Sequence, residues 1–146
     1  MRIMGLDVGD KTIGIAISDA LQITAQGKET LFRESLKSDI DQLVQWIVSY
    51  EVHKIVVGLP LNMNGSLGPQ GEKTKQFAEK LEKKLKHSTR ITEPVEIVYW
   101  DERLTTLGAN RMLIETDMRR EKRKKVVDTV AAVLILQGYL DGNREA

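Results

Sequence analysis

No cysteine occurs among the 146 residues, which excludes disulfides and thiolate metal sites. Histidine is almost as scarce: His53 and His87 stand far apart, too few and too scattered for an imidazole zinc site. Any metal held here must be a hard one on oxygen ligands. No apolar run approaches the roughly 20 residues of a membrane-spanning helix, so no membrane partner is expected. The opening Met1-Arg2-Ile3-Met4-Gly5-Leu6-Asp7 lacks the apolar stretch and cleavage site of a secretory signal. A cytoplasmic location follows as the expectation. Aromatic residues make up only 5%. Trp46 is expected on a helix face and Trp100 in a strand; Trp100, beside Asp101, could stack on a base, but core packing is the plainer role.

What is present is ordinary globular composition, 41% apolar and 29% charged. It fits one domain over residues 1–146 with one substantial core. The formal net charge of +1 says little about partners, whereas its distribution says more. Arg119, Arg120, Lys122, Arg123, Lys124 and Lys125 crowd seven consecutive positions. Such a block is either a solvated loop or a contact to a phosphate backbone, where clustered Lys and Arg displace counterions.

Hydrophobic periodicity orders the elements. Arg2–Asp7, the turn-rich Val8–Thr12 and the alternating Ile13–Ser18 predict a β-hairpin. A third strand is expected between Ile23 and Leu31, with Gly27 inside it. Ser35–Tyr50 carries Leu36, Ile40, Leu43, Val44 and Ile47 on one stripe, the pattern of an amphipathic helix. Lys54–Gly58 predicts a buried strand that breaks at Leu59-Pro60. A polar loop with Gly65 and Gly68 leads into a charged helix reaching about Lys86, its apolar side made of Phe77, Ala78, Leu81 and Leu85. Val95–Trp100 is the next strand. Thr105 or Thr106 can cap a helix bearing Leu107, Met112 and Leu113, and Val126–Leu140 is the last helix. The sum is an α/β fold: a mixed five-stranded sheet, an antiparallel three-strand meander plus parallel strands, flanked by helices.

In such sheets, ligand sites gather beyond the carboxyl ends of the parallel strands. Two strands end there in acids, at Asp7 and at Asp101-Glu102. Taken singly, each could merely cap a turn or pair with Arg103. Asp128 changes the balance. Positions three, four and seven further along a helix are Ala131, Ala132 and Ile135, a face suited to close packing on the sheet. An acid on that face is desolvated unless it is paired or metal-bound. Placed in the first helical turn it could instead act as an N-terminal cap. Three converging carboxylates repel one another unless a cation sits among them, and oxygen ligands favour Mg2+ or Mn2+. Paired ions of this kind commonly serve the hydrolysis of phosphodiesters. The strand ending Val57-Gly58-Leu59-Pro60 brings no acid, and Asn62 is its first polar side chain, so the set depends on Asp101 or Glu102.

Four blocks, spread in order along the chain, resemble the YqgF (RuvX) family. They are Gly5-Leu6-Asp7-Val8-Gly9-Asp10-Lys11-Thr12-Ile13-Gly14-Ile15-Ala16, Val57-Gly58-Leu59-Pro60-Leu61-Asn62-Met63-Asn64-Gly65-Ser66, Asp101-Glu102-Arg103-Leu104-Thr105-Thr106 and Asp128-Thr129-Val130-Ala131-Ala132. The resemblance implies an RNase H-like fold and a bacterial cytoplasmic nuclease acting on pre-16S rRNA in ribosome biogenesis, in contact with ribosomal precursor particles. Resolution of Holliday junctions, by similarity to RuvC, is the alternative it carries. It further implies a catalytic metal site on Asp7, Asp101, Glu102 and Asp128, with Asp101 and Glu102 left open as the ligand. Lys11, Thr12, Asn62, Arg103 and Thr105, with Arg119, Arg120, Lys122, Arg123, Lys124 and Lys125, are then the candidate substrate contacts. Two rivals stand beside this reading. A non-catalytic RNA-binding assembly factor would use the same basic block. An ATPase of the actin and sugar-kinase type would share the opening glycine hairpin, but needs two lobes to enclose a nucleotide. Monomer and homodimer both remain open.

Overall fold

The computed structural model describes residues 1–104 and 120–145, the side chains at 104, 120–128 and 143–145 excepted. Strand β1 (Arg2–Val8) and strand β2 (Thr12–Ser18) form the expected hairpin, and β3 (Ala25–Phe32) completes the meander. Helix α1 (Leu36–Ser49) leads to β4 (Val52–Leu59), and α2 (Pro69–His87) leads to β5 (Glu96–Asp101). A single 3-10 turn, Glu102–Leu104, follows, and α3 (Arg120–Glu145) closes the described chain. The sheet order is β3-β2-β1-β4-β5. Strands β1, β4 and β5 run parallel, so all three carboxyl ends lie along one side.

Local chemistry explains the boundaries. Ser35 caps α1, its hydroxyl accepting from Ser38 N at 3.1 Å, and so satisfies an N–H that the helix cannot. Pro69 opens α2, where its missing N–H costs nothing. A bulge between Ile15 and Ala16 of the β2–β3 pairing leaves Lys28 without an opposite number.

The sheet is covered on both faces by two distinct packings. On one face Met4, Leu6, Ile13, Ile15, Ile17, Ile55 and Val57 meet the apolar stripes of α1 and α2. On the other, Ile3, Ala16 and Val56 meet Ala131, Ala132, Ile135, Leu136 and Leu140 of α3. The α3 face is made of smaller side chains, and its helix comes very close. A Cβ on Gly5 would lie 2.7 Å from Leu136 Cβ, and one on Gly27 only 2.0 Å from Thr129 Cγ2. Thr129 thus fills a notch in β3, where its hydroxyl also meets that of Thr30 at 3.2 Å. Gln137 fixes the helix a second time, accepting from Ala25 N at 2.9 Å and donating to Ile23 O at 3.0 Å.

One boundary differs from expectation. The last helix begins at Arg120 rather than Val126, because Arg, Glu and Lys are strong helix formers and the basic block holds neither Gly nor Pro. The helix expected after Thr105 or Thr106 lies outside the described residues. No helix among the described residues is long and apolar enough to cross a membrane.

Candidate active site at the strand ends

Asp7 is the penultimate residue of β1, paired with Gly14 on β2. Side chains alternate along a strand: Met4, Leu6 and Val8 face α1 and α2, so Asp7 shares the α3 face with Ile3 and Gly5. On its other side, the register that pairs Leu6 with Val57 brings Gly58 level with Asp7. Gly58 brings no side chain to that position. The turn that follows the neighbouring strand β5 fills the space. A Cβ on Gly58 would lie 2.8 Å from Glu102 Oε1 and 2.3 Å from Ile135 Cδ1. The Glu102 carboxylate is therefore laid over the side-chain-free position beside Asp7, on the face that α3 packs against.

Asp101 has a different setting. Its carboxylate is gripped by Arg103: Nη2 donates at 2.7 Å, Nε at 3.1 Å, and the Arg103 backbone N–H at 2.9 Å. These bonds to the Arg103 guanidinium hold the Asp101 carboxyl below its ordinary value and raise that of Arg103 in return. Arg103 Nη1 also donates to Met63 O at 3.2 Å, so the pair clamps the β4–α2 loop to the end of β5. The sign of the pH effect follows. A carboxyl whose pKa is lower in the fold contributes stability that is present above its ordinary 3.8 and lost as pH falls through the lowered value. Relative to Asp101→Asn, the wild type is expected to keep a constant stability margin at neutral pH. That margin should shrink only in acid below 3.8, as thermal melts across pH would register.

Asp128 lies on α3, and the start of that helix at Arg120 places it about two turns inside. The reading as a first-turn residue or an N-terminal cap is thereby corrected. Its position shares a helical face with Ala131, Ala132 and Ile135, all fully buried on the sheet. Among the described residues no three acids or histidines group as a metal cage; the Asp128 side chain is outside them.

The other expected contacts separate into three groups. Lys11 is exposed on the β1–β2 turn, while Thr12 is buried and its carbonyl accepts from Gly9 N at 2.9 Å. Asn62 Nδ2 donates to Ser66 Oγ at 3.0 Å, which makes it a brace of its own loop. Thr105 and Arg119 lie outside the described residues, as do the side chains of Arg120, Lys122, Arg123, Lys124 and Lys125. Trp100 meets Tyr139 of α3 edge-on at 6.2 Å, and Trp46 packs against the α1/α2 core, both as expected for core residues.

Sequence reasoning missed a brace beneath the β1–β2 turn. Arg33 donates to Gly9 O at 2.9 Å and to Asp39 Oδ2 at 3.1 Å, and stacks over Phe77 at 5.0 Å. Asp39, only 2% exposed, was the available signal: an acid one residue before the apolar Ile40 on the inner stripe of α1. A cleft of about 410 Å³ opens beside this brace. Its lining sets Asp10, Glu34 and Asp39 against Arg33, Lys73 and Lys80, a balance that favours neither cation nor anion.

Comparison with solved structures defines the class first. The fold matches Thermus thermophilus RuvC solved with a Holliday junction substrate, with a TM-score of 0.60, 10% identity, and coverage of 98% of this chain and 96% of that one. It also matches the fowlpox virus resolvase solved with Holliday junction DNA, with a TM-score of 0.55, 12% identity, and coverage of 98% and 99%. At such identity the likeness establishes the RNase H-like resolvase fold and nothing finer. Sequence then gives the family. Residues 1–142 match the pattern of the RuvX family, described as Holliday junction resolvase, and the chain belongs to that family. Relatives named "Putative pre-16S rRNA nuclease" occur in Clostridium tetani, 55% identical over 97% of this chain and 96% of its own length, and in Caldanaerobacter subterraneus subsp. tengcongensis, 53% identical over the full length of both. The chain accordingly takes its place among the nucleases, hydrolases that act on ester bonds.

Proposed function

We propose that the chain is a divalent-metal-dependent endonuclease, built as one domain, that trims the 5′ end of pre-16S rRNA during ribosome biogenesis in the cytoplasm. The observation that carries the reading is the Glu102 carboxylate laid over Gly58, level with Asp7. Carboxylates set side by side at the strand ends, half-buried, make a setting that a cation stabilises. The donor set is all oxygen, which fits Mg2+ or Mn2+. Asp7 and Glu102 would hold the ion, with Asp128 as the third ligand supplied from α3. When bound, such an ion activates the attacking water and stabilises the leaving oxygen.

The chain's own part is positional. Gly58 leaves room for the Glu102 carboxylate, and Gly5 and Gly27 let α3 approach closely enough to bring Asp128 to the strand ends. Lys11 on its exposed turn, and the basic residues that open α3, attract the phosphate backbone without regard to sequence. The names carried by relatives of over 50% identity support RNA as substrate. The family description supports a second reading, resolution of four-way DNA junctions, which would call for a symmetric dimer.

Labelled pre-16S precursor and a four-way DNA junction, incubated side by side with magnesium, manganese or chelator, separate the readings. Metal-dependent cutting of the precursor is expected. Cutting of the junction alone would establish the second reading. Binding without cutting in every metal would leave an RNA-binding assembly factor.

A further inference from the structure

The loop between β4 and α2 presents a large apolar side chain to solvent. Met63 is 98% exposed at the tip, yet the loop beneath it is tightly built. Asn62 N donates to Ser66 O and Gly65 N to Asn62 O, both at 2.9 Å, and Gly65 takes φ +85° to close the turn. Asn64 Oδ1 accepts from Ser66 N at 3.0 Å and from Ser66 Oγ at 2.6 Å. Arg103, held by Asp101, donates to the Met63 carbonyl itself at 3.2 Å. The anchoring arginine is the residue after Glu102. A large apolar side chain is thus held out in solvent on a braced arm tied to the same strand end as the acids.

We propose that Met63 is a substrate-positioning contact that packs on a nucleobase beside the scissile phosphate. The inference rests on the nuclease reading for its substrate class. Three features support it. Within its loop Met63 is flanked by Asn62, Asn64, Gly65 and Ser66, with Leu61 and Leu67 half-buried at the base, so the loop itself offers less apolar surface than a protein partner needs. A single flexible apolar side chain fits the narrow slot of an opened base step, where methionine is among the wedges that proteins insert. Finally, the Asp101–Arg103 grip fixes the loop carbonyl and leaves the Met63 side chain out of it, as a positioning arm requires.

The test uses the full chain with Asp7→Asn to prevent cutting, in magnesium, against two probes. One is a single-stranded precursor leader and the other a four-way junction, each carrying 2-aminopurine at successive positions. Binding is expected to change the fluorescence at one position. Met63→Ala should abolish that change and weaken affinity about five- to tenfold, with an unaltered melting temperature because Met63 is almost fully exposed. Met63→Leu should retain the signal, and the near-isosteric polar Met63→Gln should lose it. Equal affinity and equal fluorescence for Met63→Ala and its parent would overturn the proposal, as would a parent with no position-specific signal. Cutting by the chain with Asp7 intact is scored separately. Its absence, with the base contact present, would count against the nuclease reading and leave the contact standing.

Discussion

Glu102→Gln is expected to lower metal-dependent cleavage by at least about 100-fold, while Asp101→Asn lowers it by no more than about tenfold. The adjacent acids differ in what they touch. Glu102 places its carboxylate over Gly58 beside Asp7, where, on the proposed metal site, losing its charge would remove a ligand. Changing groups that merely support a ligand already costs about 10–100-fold, so loss of the ligand itself should exceed that range. Asp101 instead holds Arg103, and through it the Met63 loop. Its loss loosens substrate positioning and should raise KM more than it lowers kcat. The two amides are nearly isosteric with the acids, so folding is not in question for either. Steady-state kinetics on the labelled precursor would check the ranking, and a larger loss for Asp101→Asn would reverse the assignment.

The two glycines under α3 should both matter for stability and differ in their effect on activity. A Cβ on Gly5 meets Leu136 Cβ at 2.7 Å and the Ala132 carbonyl at 3.0 Å, atoms that cannot move unless the helix does. Gly5→Ala is therefore expected to cost about 1–3 kcal/mol by overpacking, seen as a drop of roughly 5–10 °C in melting temperature for a chain of this size. Gly58→Ala meets Ile135 at Cδ1 (2.3 Å) and Cγ1 (2.9 Å), a fully buried side chain of α3, as well as Glu102 Oε1 at 2.8 Å. The packed Ile135 can yield only in part, so melting should fall here by a similar amount. Displacing the carboxylate by an ångström, however, should cost about 100-fold in cleavage. Thermal melts and cleavage rates of both variants provide the check. A Gly58→Ala chain with full activity would mean that the Glu102 carboxylate has no part in the reaction.

The contrast between these glycines shows where sequence was informative. Alternation in Ile13, Ile15 and Ile17 and the stripe from Ile40 to Ile47 are patterns of period two and 3.6, and the elements follow them directly. The start of α3 was not legible, since charge argued for a loop while helix propensity argued for continuation, and propensity prevailed. Neither was the choice between Asp101 and Glu102. Period two states that neighbours face opposite ways and leaves open which face holds the site. The difference in their settings depends on Gly58, a residue two strand positions past Val56, whose meaning is a space and not a group. The absence of an acid at the end of β4 reads in the sequence as a gap in the set. In the structure the side-chain-free Gly58 is room that the Glu102 carboxylate, from the turn after β5, occupies. The Arg33–Asp39–Gly9 brace escaped notice for a related reason: it joins residues from three elements through a backbone carbonyl, which no side-chain pattern reveals.

Manganese binding, titrated by electron paramagnetic resonance in the wild type and in Asp7→Asn, Glu102→Gln and Asp101→Asn, tests the carboxylate site most directly. Saturable binding is expected for the wild type and for Asp101→Asn, lost or strongly weakened in both Asp7→Asn and Glu102→Gln. Binding that survives in Glu102→Gln but disappears in Asp101→Asn would contradict it.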